Sequence, residues 1–158
     1  MAKRRMNQEG SIWKDRKKWR AAVTIDGQRL TCNFDTRDEC VAWIRKTQTQ
    51  VERGMTYSKA NVTLGDFIQK WLEFHKTTVA PNTAVQYKQL TSNYILPEIG
   101  KIKLRDLSLS IIEAHYMALQ KNGLGASTVR YVHAVLRKCL NDAVRRGYIG
   151  YNPTLGAI

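Results

Sequence analysis

Apolar and polar positions alternate between residues 19 and 34, and from residue 36 onward the apolar ones recur every three or four residues. The alternation is interrupted at Asp26-Gly27, a pair suited to a two-residue hairpin turn because glycine accepts positive φ. Two strands are therefore expected, Trp19 to Ile25 and Gln28 to Phe34. A shorter strand, Gly10 to Lys14, and a turn over Asp15 to Lys17 precede them. The turn sets the register. Ile25 then faces Gln28, Val23 faces Leu30, Ala21 faces Cys32 and Trp19 faces Phe34, giving a largely apolar side. On the other side Thr24 faces Arg29, Ala22 faces Thr31 and Arg20 faces Asn33, which is small, polar and basic. Thr36 followed by Glu39 is a capping-box pattern. It opens a helix with Cys40, Trp43, Ile44, Thr47 and Val51 on one stripe, stopped by Gly54. That helix is expected to cover Trp19, Val23 and Phe34.

Residues 55–62 (MTYSKANV) are polar and without period, and read as a tether. Thr63 then caps a helix with Asp66 in its first turn and Phe67, Ile68, Trp71, Leu72 and His75 inside. After a break from Thr78 to Pro81, a second helix is expected from Asn82 to Ile95, with Thr83, Tyr87, Leu90 and Tyr94 inward. Leu96 to Gly100 reads as a turn and Lys101 to Leu107 as a short extended link with three bases. Ser108 caps a third helix, with Ile112, Tyr116 and Leu119 inside and Asn122-Gly123 closing it. The fourth helix, Ser127 to Arg146, buries Val129, Val132, Leu136, Leu140 and Ala143, and Gly147 stops it. His75 and His115 lie on or beside buried stripes and need no role beyond packing. The fold class expected is α+β: a small three-stranded antiparallel sheet on one helix (1–54), a linker (55–62), then an all-α four-helix bundle (63–158).

Charge changes this picture. Lys and Arg number 26 against 13 Asp and Glu, a net charge of +13. Eight bases fall in the first twenty residues, and residues 1–9 read as a basic arm. Such an excess favours a polyanion, nucleic acid before an anionic membrane surface. No apolar run is long enough to span a bilayer, and the basic start is not followed by a signal-peptide core. Cys32, Cys40 and Cys139 have no pairing pattern and read as reduced, buried thiols in a cytoplasmic protein. The acidic residues are scattered and the histidines far apart, which argues against a metal nuclease. No metal, cofactor, membrane or small-molecule substrate is expected.

Three surfaces could meet a duplex. A small sheet can enter the major groove, where Arg reads guanine and Asn reads adenine, which suits the Arg20, Arg29, Asn33 face. On the second helix of the bundle, Asn82, Gln86, Gln89 and Asn93 make a row of amides beside the inner stripe. Their donor–acceptor pairs match adenine, and Lys88 and Ser92 could reach phosphates. On the last helix Arg130, Ala134, Arg137, Asn141 and Arg145 share a stripe, with His133 and Lys138 beside it and Ser127 and Thr128 at its amide-rich start. Each surface suits plain solvation as well.

The order of the pieces resembles the N-terminal half of a tyrosine recombinase of the phage integrase family. TLGDFIQKWL, APNTAVQYKQL, ILPEIGKIKLRDL and STVRYVHAVLRKCLNDAVRRGYIGYNP look like its SAM-like, core-binding domain. GSIWKDRKKWRAAVTIDGQRLTCNFDTRDECVAWI looks like the arm-binding domain in front of it. The resemblance implies site-specific cutting and rejoining of double-stranded DNA that moves a phage or integrative element, with arm-type and core-type sites and self-association on DNA. It implies DNA contacts from Asn82, Thr83, Gln86 and Lys88, from Thr128, Arg130, His133 and Arg137, and from Arg20, Thr24, Arg29 and Asn33. Thr83 is divided, because its spacing also fits the buried stripe.

The family's nucleophilic tyrosine, with its arginines, lysine and histidine, belongs downstream of the Asn152-Pro153 join, after which only 154–158 follow. None of the seven tyrosines has the matching context, and Tyr87, Tyr94 and Tyr116 read as core. The chain is therefore expected to bind DNA, in the nucleoid, without cleaving it. Two other readings stay open. One is a stand-alone DNA-binding regulator of a phage or mobile element. The other is a partner-binding bundle with incidental charge.

Overall fold

The computed structural model describes residues 10–157; the basic arm expected over 1–9 lies outside them. Three antiparallel strands, β1 (Ser11–Asp15), β2 (Lys18–Ile25) and β3 (Gln28–Phe34), form a sheet in the order β1-β2-β3. The β2–β3 register is the one the turn demands, from Ile25↔Gln28 to Trp19↔Phe34. Asp26 and Gly27 both have positive φ, 52° and 77°, the twist that a tight hairpin requires. Helix α1 (Arg37–Glu52) starts at a complete capping box, with the Thr36 side chain accepting from the Glu39 amide and the Glu39 carboxylate accepting from the Thr36 amide. It lies on the apolar side of the sheet, and Cys40, Trp43 and Ile44 close a core with Ala21, Val23, Ile25 and Leu30. Toward its end Gln50 is buried where Val51 was expected, because Gln50 Nε2 donates to the Arg105 carbonyl (3.0 Å).

The bundle comprises α3 (Leu64–Lys76), α4 (Pro81–Leu90), α5 (Leu96–Ile99), α6 (Leu109–Lys121) and α7 (Ala126–Arg145), with the short α2 (Tyr57–Ala60) before it. Its core is built on Phe67, Ile68, Trp71, Ile95, Ile112, Leu136 and Leu140. Each such side chain contributes about 1.5–3 kcal/mol on burial. Trp71 and His75 both bond to Asp142 Oδ2, at 2.8 and 3.0 Å, tying α3 to α7. His75 is thus a packed, hydrogen-bonded histidine. No helix among the described residues is long and apolar enough to cross a membrane.

Three expectations change. The helix expected over 82–95 becomes α4 followed by a wide π turn, Thr91–Ile95, and 96–100 is not a turn but begins as α5. The cause is local. The buried Thr91 hydroxyl donates to the Tyr87 and Lys88 carbonyls (2.8 and 3.0 Å), and Leu96 N–H reaches back to Thr91 O. That widening lets the chain carry Pro97, which has no amide hydrogen, in helical form. In the link 101–107, Leu104–Asp106 is a 3₁₀ turn and Arg105 is buried rather than a surface base.

The third change is in 55–62, read as a polar tether. Met55 and Ala60 are buried in the sheet-side core, and Thr56 and Tyr57 start α2. The segment is also held to the end of the bundle. Lys59 Nζ donates to the Arg146 carbonyl and lies 5.2 Å from the Tyr148 ring, while Arg53 faces the Tyr151 ring at 5.9 Å. Gly147, with φ 69°, lies so close to Gly54 that an added Cβ would come within 2.8 Å of its carbonyl oxygen. Sequence periodicity misses such a segment because four helical residues are too few to show one.

Candidate nucleic-acid interface

The outward face of the sheet is built in rows across the strands. Trp13, Arg20 and Asn33 form one row, and Thr24 pairs with Arg29. Arg20 is engaged on both sides. Its Nε donates to Asn33 Oδ1 (2.9 Å) and its Nη2 pairs with Asp15 (2.9 Å). Trp13 sits beside both arginines, 6.0 Å from the Arg20 guanidinium and 5.0 Å from that of Arg29. Cation–π attraction orients these long side chains on the face. Thr24, Arg29 and Asn33 are exposed. Arg16, Lys17 and Lys18 border a concavity beside Arg20 and Asn33 at the β1–β2 turn. Trp13 was missing from the sequence-derived set. Its signal lies in the pairing of the first strand, which puts Trp13 opposite Arg20, whereas the Asp26-Gly27 turn fixes the register of the second hairpin alone.

On the bundle, α4 runs beside α7 with a groove between them. Gln86, Gln89 and Asn93 line it from one side, Thr128 and Tyr131 from the other. All three amides are exposed, and Asn82 continues their stripe in the first turn of α4. Thr83 is half-buried on the inner side. Lys88 is placed elsewhere, in the cleft between α3 and α4 with Lys70, Lys76 and Ser92. The structure thus joins Gln86 to Thr128 and sets Lys88 on the opposite flank of α4.

Helix α7 has two polar flanks. Thr128, Tyr131 and Lys138 are turned toward α4, and Lys138 Nζ donates to the Tyr87 hydroxyl (3.0 Å). On the other flank lie Arg130, His133 and Arg137. Both arginines are exposed, and among the described residues neither is paired with a carboxylate. By contrast Arg145 pairs with Asp142 at 3.5 Å. His133 is half-buried and hydrogen-bonded to the Tyr116 hydroxyl (3.1 Å). Burial, with Arg137 nearby, lowers its pKa, so it is neutral at neutral pH. Burial raises the Tyr116 pKa, so that hydroxyl keeps its proton. Tyr131, 67 % exposed, was also missed by the sequence reading. An aromatic residue on a helix reads as core until the packing is known. Beyond α7 the chain folds back, and Asn152 Nδ2 donates to the Arg137 carbonyl (3.1 Å) and Asn141 Oδ1 (2.7 Å).

Among the described residues, no group of His, Cys, Asp or Glu side chains is placed to hold a metal ion. The arrangement offers amides, hydroxyls, aromatic rings and cations on solvent-exposed helix and sheet faces, the chemistry of recognition.

Residues 63–122 match the family model described as phage integrase, N-terminal SAM-like domain. The chain is 28 % identical over 146 residues to a protein of Caldanaerobacter subterraneus named tyrosine recombinase XerC-like, covering 87 % of this chain and 37 % of that relative. It is 26 % identical over 154 residues to an integrase of Streptomyces ambofaciens, covering 92 % and 38 %. The chain therefore spans less than two fifths of the length of these curated relatives. Among solved structures, an integrase-like domain from Bacillus cereus superposes with TM-score 0.59 at 23 % identity, over 62 % of this chain and 83 % of that one. A phage integrase SAM-like domain from Moorella thermoacetica gives 0.56 at 27 % identity, over 63 % and 86 %.

Proposed function

We propose that this chain, whose bundle is of the phage integrase SAM-like type, is a double-stranded DNA-binding part of a tyrosine-type site-specific recombinase serving DNA integration. The bundle grips the core-type site beside the point of strand exchange, and the sheet holds a separate arm-type site. In that reaction this chain supplies affinity and position. The observation that carries the reading is the exposed amide row of α4 facing α7, with the unpaired Arg130 and Arg137 on the far flank of α7. Amides recognise base edges, and unpaired guanidinium groups hold phosphates.

The test is fluorescence anisotropy with labelled duplexes over a range of salt. Affinity should fall with a log–log slope of about −0.9 per phosphate neutralised. Arg130→Ala combined with Arg137→Ala should make the slope shallower by roughly two. No binding to any duplex at moderate ionic strength would refute the reading.

A further inference from the structure

In a protein of net charge +13, the groove between α4 and α7 is lined by no charged side chain. Gln86, Gln89 and Asn93 provide three primary amides, Thr128 a hydroxyl and methyl, and Tyr131 an exposed ring. No other described residue bonds to those amides, so both their donors and their acceptors are open to a ligand. The cations are set outside this groove. Lys88 is on the α3 side of α4, Arg130 and Arg137 are on the far flank of α7, and Lys138 is held on Tyr87.

This division of charge separates two tasks. Cations beside a recognition surface take phosphates and carry no sequence information. Inside the groove the chemistry is selective. A carboxamide can donate to adenine N7 and accept from adenine N6–H. Guanine presents two acceptors, O6 and N7, which a guanidinium satisfies and a carboxamide cannot. The Tyr131 ring and the Thr128 methyl offer apolar contact for the thymine 5-methyl group, the one apolar mark in the major groove. We propose that this groove is the specificity-determining element of the bundle and that it reads A·T pairs in the major groove, with Gln86, Gln89 and Asn93 on adenine and Tyr131 on the thymine methyl. The inference rests on the DNA-binding reading given above.

The experiment uses the whole chain and a duplex library with a randomised centre, selected in parallel with the unaltered protein and with Gln89→Ala. Positions enriched by the first and lost in the second are assigned to the groove. The enriched duplex is then remade at those positions with 7-deazaadenine, which lacks the N7 acceptor, or with uracil for thymine, which lacks the methyl. Each 7-deazaadenine at a bidentate contact should weaken binding about 5- to 150-fold, and the effect should vanish in the variant facing it. Tyr131→Ala should remove the response to uracil while leaving the response to 7-deazaadenine. Because Gln89 and Tyr131 are exposed, neither substitution disturbs the core. Binding that ignores both analogues, or a selected motif at those positions made of G·C pairs, overturns the A·T assignment while leaving DNA binding intact. Failure to enrich any duplex overturns the DNA-binding reading instead.

Discussion

At the residue scale the two faces differ in how their polar groups are held. Trp13 touches both sheet arginines and is a positioning residue for them. Each exposed cation–π contact is worth about 0.5–1 kcal/mol. Under the proposed DNA-binding role of the sheet, Trp13→Ala is expected to weaken duplex binding about two- to fivefold with the salt slope unchanged, because no phosphate contact is removed. Anisotropy at several salt concentrations would check this, with circular dichroism showing the sheet retained. Asp142 is a different case. Burial alone would raise its pKa, but the hydrogen bonds to His75 and Trp71, with His75 and Arg145 close by, outweigh burial and hold it below the ordinary carboxylate value. The folded state therefore binds this proton less readily than the unfolded chain does. Its stabilising contribution is complete above the unfolded pKa and is lost as pH falls through the folded one. Asp142→Ala strands the Trp71 and His75 donors and should cost about 1–3 kcal/mol at neutral pH. Urea unfolding should show that difference shrinking in acid.

At the element scale, the π turn sets the aim of the amide row. Thr91 draws the Tyr87 and Lys88 carbonyls onto its hydroxyl, and the π turn it opens, Thr91–Ile95, carries Asn93 within it. Thr91→Val keeps the volume and removes both bonds. The expected cost is about 0.5–1.5 kcal/mol in stability. Under the proposed DNA-binding role of the bundle, duplex affinity should fall by more than that stability change explains, because Asn93 loses its alignment with Gln86 and Gln89. Thermal melts and anisotropy on the same preparation separate the two effects. A threonine in mid-helix carries this information only weakly in sequence. Its hydroxyl could face water or bend back, and only its complete burial decides which.

At the scale of the whole molecule, the two cores are joined through 53–60 and the exit of α7. Lys59, Gly147 and Arg53 sit in that junction, and on its other side Gln50 meets the backbone of the Leu104–Asp106 turn. Gly147→Ala places a Cβ against the Gly54 carbonyl in a left-handed backbone, and the conformation alone costs about 1–2 kcal/mol. Tryptophan fluorescence, with three of the four tryptophans on the sheet side, and helical circular dichroism should unfold in one coincident transition in the unaltered chain. Cleavage near Ser58 should split that transition in two and lower both midpoints.

Residue spacing alone determined the hairpin register, the capping box on α1 and the buried stripes of the long helices. These follow from local rules: a two-residue turn permits one pairing, and a sustained period leaves one face to bury. It also placed Gln86, Gln89 and Asn93 outward, since a helix stripe has only one other side. Tertiary structure decided the rest. It buried Arg105 and packed residues 55–62, moved Lys88 away from α7, tied Arg20 to Asp15 and Asn33, and brought Tyr131 opposite the amides. Those outcomes depend on which helix lies beside which and at what distance. Periodicity along a single chain reports the direction a side chain faces but not its neighbour.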